Sequence, residues 1–183
     1  MITLSCAHHV YELSADEAEM VRDTAIRIRR GHGNRHRPLY AGDDFEPEVS
    51  GYMGQYVARK ILGFDWGDHI DRDLSEPDIA VGKLRIDVKT THAISDRLRL
   101  LVTDKHRREN DVFILAGHAV IDDASRVRLW GAASIFCVNE RGFLDPTLRG
   151  AARAVAIPDL DITIDDLIGD ATRSRSNQKM GGK

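Results

Sequence analysis

Cysteine is scarce in this chain. Cys6 and Cys137 are the only two in 183 residues. They are too few and too far apart for a disulfide framework, which points to a reducing compartment. Neither sits in a pattern that marks a nucleophile, so both read as small buried residues. No run reaches the roughly 18 apolar residues of a membrane helix. The start, Met1 to Cys6, lacks the basic, then apolar, pattern of a signal peptide. We therefore expect a cytoplasmic protein, in a bacterium or a phage-infected one. No G-x-x-x-x-G-K-[ST] loop is present, which argues against ATP-driven chemistry. The G-x-S-x-G elbow of serine hydrolases is missing too. Eight histidines do not make a zinc site. His8 and His9 are adjacent, and Gly31 and Gly33 disfavour a helix that would align His32 with His36. Aromatic residues make up only 6%, so Trp66 and Trp130 read as core rather than as base-stacking platforms.

What is present suits one globular domain. Hydrophobic residues are 42% and charged residues 30% of the chain, enough to bury a core. We expect a single domain over 1–173 and a frayed, polar tail over 174–183. Net charge is −3, which does not advertise nucleic-acid binding, but the charge is unevenly placed. Arg22, Arg27, Arg29, Arg30, Arg35 and Arg37 form one basic cluster. Arg97, Arg99, Lys105, His106, Arg107 and Arg108 form another. Such patches supply phosphate contacts in a protein of negative net charge, and they equally suit ordinary charged helix surfaces.

Ser14-Ala15-Asp16-Glu17 is a capping-box pattern that opens a helix over 15–30. A Gly- and Arg-containing loop follows to Asp44. A second helix carries Met53, Tyr56, Val57, Ile61 and Leu62 on one stripe. Asp111 to Val120 is apolar enough for a buried central strand. Asp122-Asp123 reads as a turn into a strand over Val127 to Trp130. Ala133 to Val138 fits either a helix or a strand.

The most informative stretch is Glu76-Pro77-Asp78-Ile79-Ala80-Val81-Gly82-Lys83-Leu84-Arg85-Ile86-Asp87-Val88-Lys89. Gly82-Lys83 fits the two-residue loop of a hairpin with a type II′ turn. The register then pairs Val81 with Leu84, Ala80 with Arg85, Ile79 with Ile86 and Asp78 with Asp87. One face carries Ile79, Val81, Leu84, Ile86 and Val88. The other carries Asp78, Ala80, Arg85, Asp87 and Lys89. Opposed like charges are destabilising, and a hard divalent cation removes that penalty. The bland alternative is a solvated hairpin whose acids face water.

Pro77-Asp78 followed by Asp87-Val88-Lys89 resembles the signature of the PD-(D/E)XK nuclease superfamily. Gly51-Tyr52-Met53-Gly54-Gln55-Tyr56-Val57-Ala58 is similar to the helix that precedes this hairpin in many members. Asp111 to His118 and Leu129 to Phe136 resemble the later strands, so the likeness covers about residues 45–140. It implies a restriction-endonuclease-like α/β core: a mixed central sheet of four or five strands flanked by helices. It also implies Mg²⁺-dependent hydrolysis of phosphodiester bonds in DNA, with Mn²⁺ as a substitute. Asp78, Asp87 and the backbone of Val88 would hold the metal, and Lys89 would be the catalytic lysine. Many members carry a glutamate where this chain has Gln55. Glu48 lies seven residues earlier, two helical turns away, and is expected to supply the missing carboxylate. It equally suits a first-turn residue favouring the helix dipole.

Arg35, Arg37, His92, Lys105 and Arg107 are the candidate DNA contacts, with His92 also suiting a strand-exit residue. Double-strand cleavage would favour a homodimer. The alternative function is a catalytically weakened nucleic-acid-binding or assembly module on the same fold, with Gln55 marking the loss.

Overall fold

The structure, a computed structural model, describes residues 9–31, 46–67, 77–144 and 152–180. Arg35 and Arg37 and most of the loop between the first two helices lie outside them. Among the described residues no helix is long and apolar enough to cross a membrane.

The chain is α/β. Strands β1 (His9–Glu12), β2 (Ile79–Val81), β3 (Leu84–Thr91), β5 (Val112–Ile121) and β6 (Ala124–Ser134) form a mixed sheet. Their order is β1-β6-β5-β3-β2. The β3–β5 pair is parallel and the other pairs are antiparallel. A second, antiparallel sheet has the order β4-β8-β7, from Arg99–Thr103, Ala152–Ala156 and Phe143–Leu144. Helices α1 (Ala15–Gly31), α2 (Glu46–Ile61), α3 (Asp104–Glu109), α4 (Ile135–Arg141) and α5 (Ile164–Met180) complete the fold.

Period-two alternation sends the central strands into two cores. Ile86, Val88, Ile114, Ala116, Val127 and Leu129 meet Val21, Met53, Val57, Ile164 and Leu167 of α1, α2 and α5. From the opposite face, Phe113, Leu115 and Trp130 meet Leu100, Val102 and Val155 of the small sheet and Val138 of α4. Strand β5 is thus covered on both sides, which is why its sequence is a continuous apolar run.

Three of the four pairs read from the sequence form, with Ile79 opposite Ile86, Ala80 opposite Arg85 and Val81 opposite Leu84; the fourth, Asp78 with Asp87, does not, because β2 begins at Ile79 and Asp78 lies outside the ladder. Gly82 has φ +61° while Lys83 does not enter the positive region, as a type II′ turn requires. Asp122 and Asp123, with φ of 51° and 61°, make the turn between β5 and β6.

The capping box opens α1: the Ser14 N–H donates to Glu17 and the Glu17 N–H donates to Ser14 Oγ. Glu17 also accepts from Tyr11, Tyr56 and Lys60, so one carboxylate ties α1 to β1 and α2. Burial acts to raise its pKa, but Lys60, Tyr56, the Ser14 N–H and Tyr11 together pull it down to about 2.

The segment Ser174 to Met180, expected as a frayed tail, continues α5. Within that helix Arg175 donates to the carbonyls of Leu62 and Gly63, and these close the end of α2. Ala133 to Val138 is divided: Ser134 ends β6 and caps α4, its Oγ accepting from the Cys137 N–H at 3.0 Å. Cys137 is buried, as expected of a small core residue.

Candidate functional site

Asp87 and Lys89 lie on β3, directly beside Phe113 and Leu115 of β5. Paired residues in a sheet share a face, so both point to the side that carries the small sheet. The small sheet packs over β5 and β6. At β3, the neighbouring strand toward the sheet edge, a polar cavity of about 230 Å³ opens instead. Gln55, Pro77, Asp78, Arg85, Asp87, Val88 and Lys89 line one wall. Lys105, His106, Glu109 and Asn110, from α3 and the residue that ends it, line the other.

Asp78 sits just before the first paired residue of β2, one step beyond the Ile79–Ile86 pair. Its carboxylate is held from two sides. The Val88 N–H donates to Oδ2 at 2.7 Å, and Gln55 Nε2 donates to Oδ1 at 2.9 Å. Arg59 holds the main chain of the same residue, its Nη1 donating to the Asp78 carbonyl at 3.0 Å. The rest of that guanidinium binds the Asp65 carbonyl, with the side chain fully buried. Burial, and then the charge of Asp87, raise the Asp78 carboxyl to about 7 against the pull of the Val88 N–H, Lys89 and Gln55.

Asp87 is only 8% exposed. Its Oδ2 lies 2.7 Å from Lys89 Nζ, an ion pair that offsets the charge of the buried carboxylate. The charge of Asp87 still adds to the rise of the Asp78 carboxyl, and a cation taken between the two acids would relieve that repulsion. The two carboxylates are hard oxygen donors that suit an ion such as Mg²⁺ or Mn²⁺, while the Val88 N–H and Gln55 Nε2 are turned to Asp78 as hydrogen-bond donors. Among the described residues, however, no three His, Cys, Asp or Glu side chains converge tightly enough to hold a metal by themselves. Water or substrate oxygen has to complete any coordination here.

Glu48 does not supply a third carboxylate. It lies exposed on α2 and does not line the cavity. Tyr52, one turn along, is within electrostatic reach of both Glu48 and Asp78. Burial raises the Tyr52 hydroxyl, and the charges of Glu48 and then Asp78 add to the rise. Gln55 occupies the place where the glutamate was expected, but it donates to Asp78 and so acts first on the carboxylate's position.

Of the expected nucleic-acid contacts, Lys105 reaches the cavity. Arg107 does not: it bonds Asn139 and Asp104, toward α4. His92 is exposed just past β3, and its Nδ1 lies 3.0 Å from Ser50 Oγ. Ser50 in turn meets His118, which meets Ser125, in a polar chain along the far end of α2 and β5.

Three side chains were not singled out from the sequence. Arg59 anchors Asp78 from inside the core. Glu109 and Asn110 belong to the opposite wall, where Arg85 Nε also donates to the Glu109 carbonyl. The one available signal was position: both end the basic stretch that begins at Lys105. His106 lies close by, with Nδ1 2.8 Å from Thr103 Oγ1. Burial and then Lys89 hold its pKa below the ordinary value, against Asp87 and Glu109. Compared with protein-family models, curated proteins and solved structures, the chain matches none of them.

Proposed function

We propose that this chain is a divalent-metal-dependent deoxyribonuclease with a PD-(D/E)XK site on a restriction-endonuclease-like core. The observation that supports the reading is the meeting of Asp78, Asp87 and Lys89 at one polar cavity, with Lys105 and His106 among the residues that complete its lining. Asp78 and Asp87 would hold the cation, and the backbone of Val88 borders the same place. Such an ion would supply Lewis-acid chemistry, lowering the pKa of water and offsetting charge on the scissile phosphate.

The protein's own groups do the rest. Gln55 and the Val88 N–H fix the rotamer of Asp78. Lys89, beside Asp87 in the free protein, orients the attacking water and offsets the negative charge that grows on phosphorus. Lys105 gives the phosphate a second cationic partner from across the cavity. His106 has Nδ1 engaged by Thr103, which leaves Nε2 for the substrate. Water adds at phosphorus and loses a proton to solvent, the P–O3′ bond breaks, and the leaving 3′ oxygen takes up a proton. By the resemblance, the products are a 5′-phosphate and a 3′-hydroxyl.

A second reading is a nucleic-acid-binding or assembly module on the same fold. It is favoured by Gln55, which brings no charge, and by the two acids having no converging third among the described residues. The test is cleavage of supercoiled, linear and single-stranded DNA in Mg²⁺, Mn²⁺ and EDTA. We expect metal-dependent cutting that falls at least about 100-fold in Lys89→Ala and Asp87→Ala, the usual scale for removing a transition-state charge partner. DNA binding without cutting, retained in EDTA, would establish the module instead.

A further inference from the structure

His106 lines the cavity that holds Asp78, Asp87 and Lys89, and its ring is half-buried. It is the third residue of α3, and Thr103 is the cap that precedes the helix. A capping threonine ordinarily accepts from a backbone N–H of the first turn. The Thr103 hydroxyl does not do so here. It lies 2.8 Å from His106 Nδ1 instead. The ring is thus held through one nitrogen, which leaves the other for chemistry. Among the described residues Nε2 makes no hydrogen bond, and it is not sealed from water. The side chains whose charge acts most on the ring are Lys89 and then Asp87, the β3 pair of the site, followed by Glu109 and Lys105 of its own helix. Asp78 and Arg85 line the same cavity.

Hydrolysis needs a group that takes a proton from the attacking water. As ammonium groups, Lys89 and Lys105 have no lone pair to offer. Asp78 and Asp87 are committed to the cation in the reading above. Glu109 is exposed, and a solvated carboxylate is a weaker base than an imidazole. The His106 ring remains. Burial and Lys89 disfavour its cationic form, so near pH 7 it is neutral and carries a lone pair, the state a base requires.

We infer that His106, its Nδ1–H directed to Thr103 Oγ1, is the base that takes a proton at Nε2 from the attacking water. This rests on the nuclease reading given above. As the water oxygen bonds to phosphorus, its O–H bond breaks and the proton moves to the Nε2 lone pair. The P–O3′ bond breaks with its electron pair on the 3′ oxygen, which is protonated from solvent. The imidazolium then gives its proton to solvent, and the ring returns to its starting state. His106 is in this way the route by which the proton of the attacking water reaches solvent.

The test measures kcat of full-chain variants in Mg²⁺ on the DNA form that wild type cuts. Thermal unfolding monitors the fold, and DNA affinity is measured in EDTA. Removing a positioned base typically costs about 100- to 10,000-fold. His106→Ala is expected to lose at least about 100-fold in kcat, with fold and DNA affinity retained. His106→Gln, whose amide can still meet Thr103 but takes no proton, is expected to lose as much. Added imidazole is expected to restore part of the His106→Ala rate, in proportion to its neutral form as pH is varied. It is expected to leave Lys89→Ala inactive. A binding or purely structural role for His106 would not be rescued in this way. If His106→Ala or His106→Gln cuts near the wild-type rate while Lys89→Ala does not cut, this inference is wrong and the nuclease reading stands. If the loss lies in DNA affinity, or if imidazole restores nothing, the inference is likewise wrong. If wild type cuts no DNA, the nuclease reading falls and this inference with it.

Discussion

Burial raises the Asp78 carboxyl to about 7, and neighbouring Asp87 adds to the shift. In the unfolded chain the same group loses its proton near its ordinary 3.8. Between those values the folded state holds the proton and the unfolded state does not, so stability falls as pH rises through the interval. Unfolding scans in EDTA should show this loss from pH 4 to 8, and Mg²⁺ should flatten it by neutralising the ionised pair. Asp78→Asn should remove the slope attributable to this residue; a variant as pH-dependent as wild type would rule the account out. At this scale the sequence was legible where chemistry and spacing coincide. Asp78, Asp87 and Lys89 could be placed together because a two-residue loop sets the register and period two sets the face. Arg59 and Asn110 could not, because a buried arginine on α2 and an asparagine after α3 look ordinary until their neighbours are known.

Helix α2 lies against β3 closely enough to bring Gln55 to Asp78, and Gly54 makes that approach possible. A Cβ on Gly54 would stand 2.0 Å from Thr90 Oγ1 and 3.0 Å from Thr90 Cβ. Turning the threonine side chain relieves the first contact but leaves the second. Gly54→Ala should therefore cost about 1–3 kcal/mol by overpacking, measured by denaturant unfolding. It should also reduce the activity of folded protein, because α2 must move off β3 and carry Gln55 with it. Gly54→Ala with Thr90→Ser, which removes the threonine methyl, should recover part of both losses. The elements themselves were readable to different degrees. The capping box and hydrophobic stripes marked α1 and α2, and the apolar run marked β5. The α5 extension through Ser174 to Met180 was not readable, since this polar segment draws support from Arg175 on the end of α2. Strand β6 was longer than its pattern suggested. A bulge near Trp130, with Gly131 at φ +147°, shifts the alternation partway along.

Across the whole molecule, the small sheet fixes where the second wall of the cavity stands. Strand β4 leads directly into α3, and Leu100 and Val102 of that strand dock on Phe113, Leu115 and Trp130. Leu100→Ala should cost about 2–5 kcal/mol, as for other buried leucines. Because α3, which carries Lys105 and His106 of the cavity lining, rests on this contact, the proposed function predicts that the variant binds DNA more weakly under conditions where it remains folded. Unaltered affinity in the folded variant would mean that α3 holds its place without the small sheet. None of the strands of that sheet stood out in the sequence. They are short or carry arginine, and their burial depends on a partner distant in the chain. Local pattern was enough to determine the two central helices, the hairpin and its register, and the shared face of two acids and a lysine, because each depends on residues a few positions apart. Tertiary structure alone decided that this face is a cavity rather than open solvent. It also decided that Asn110 lines that cavity and that Glu48 stays outside, because each of these depends on packing between segments that no local periodicity can align.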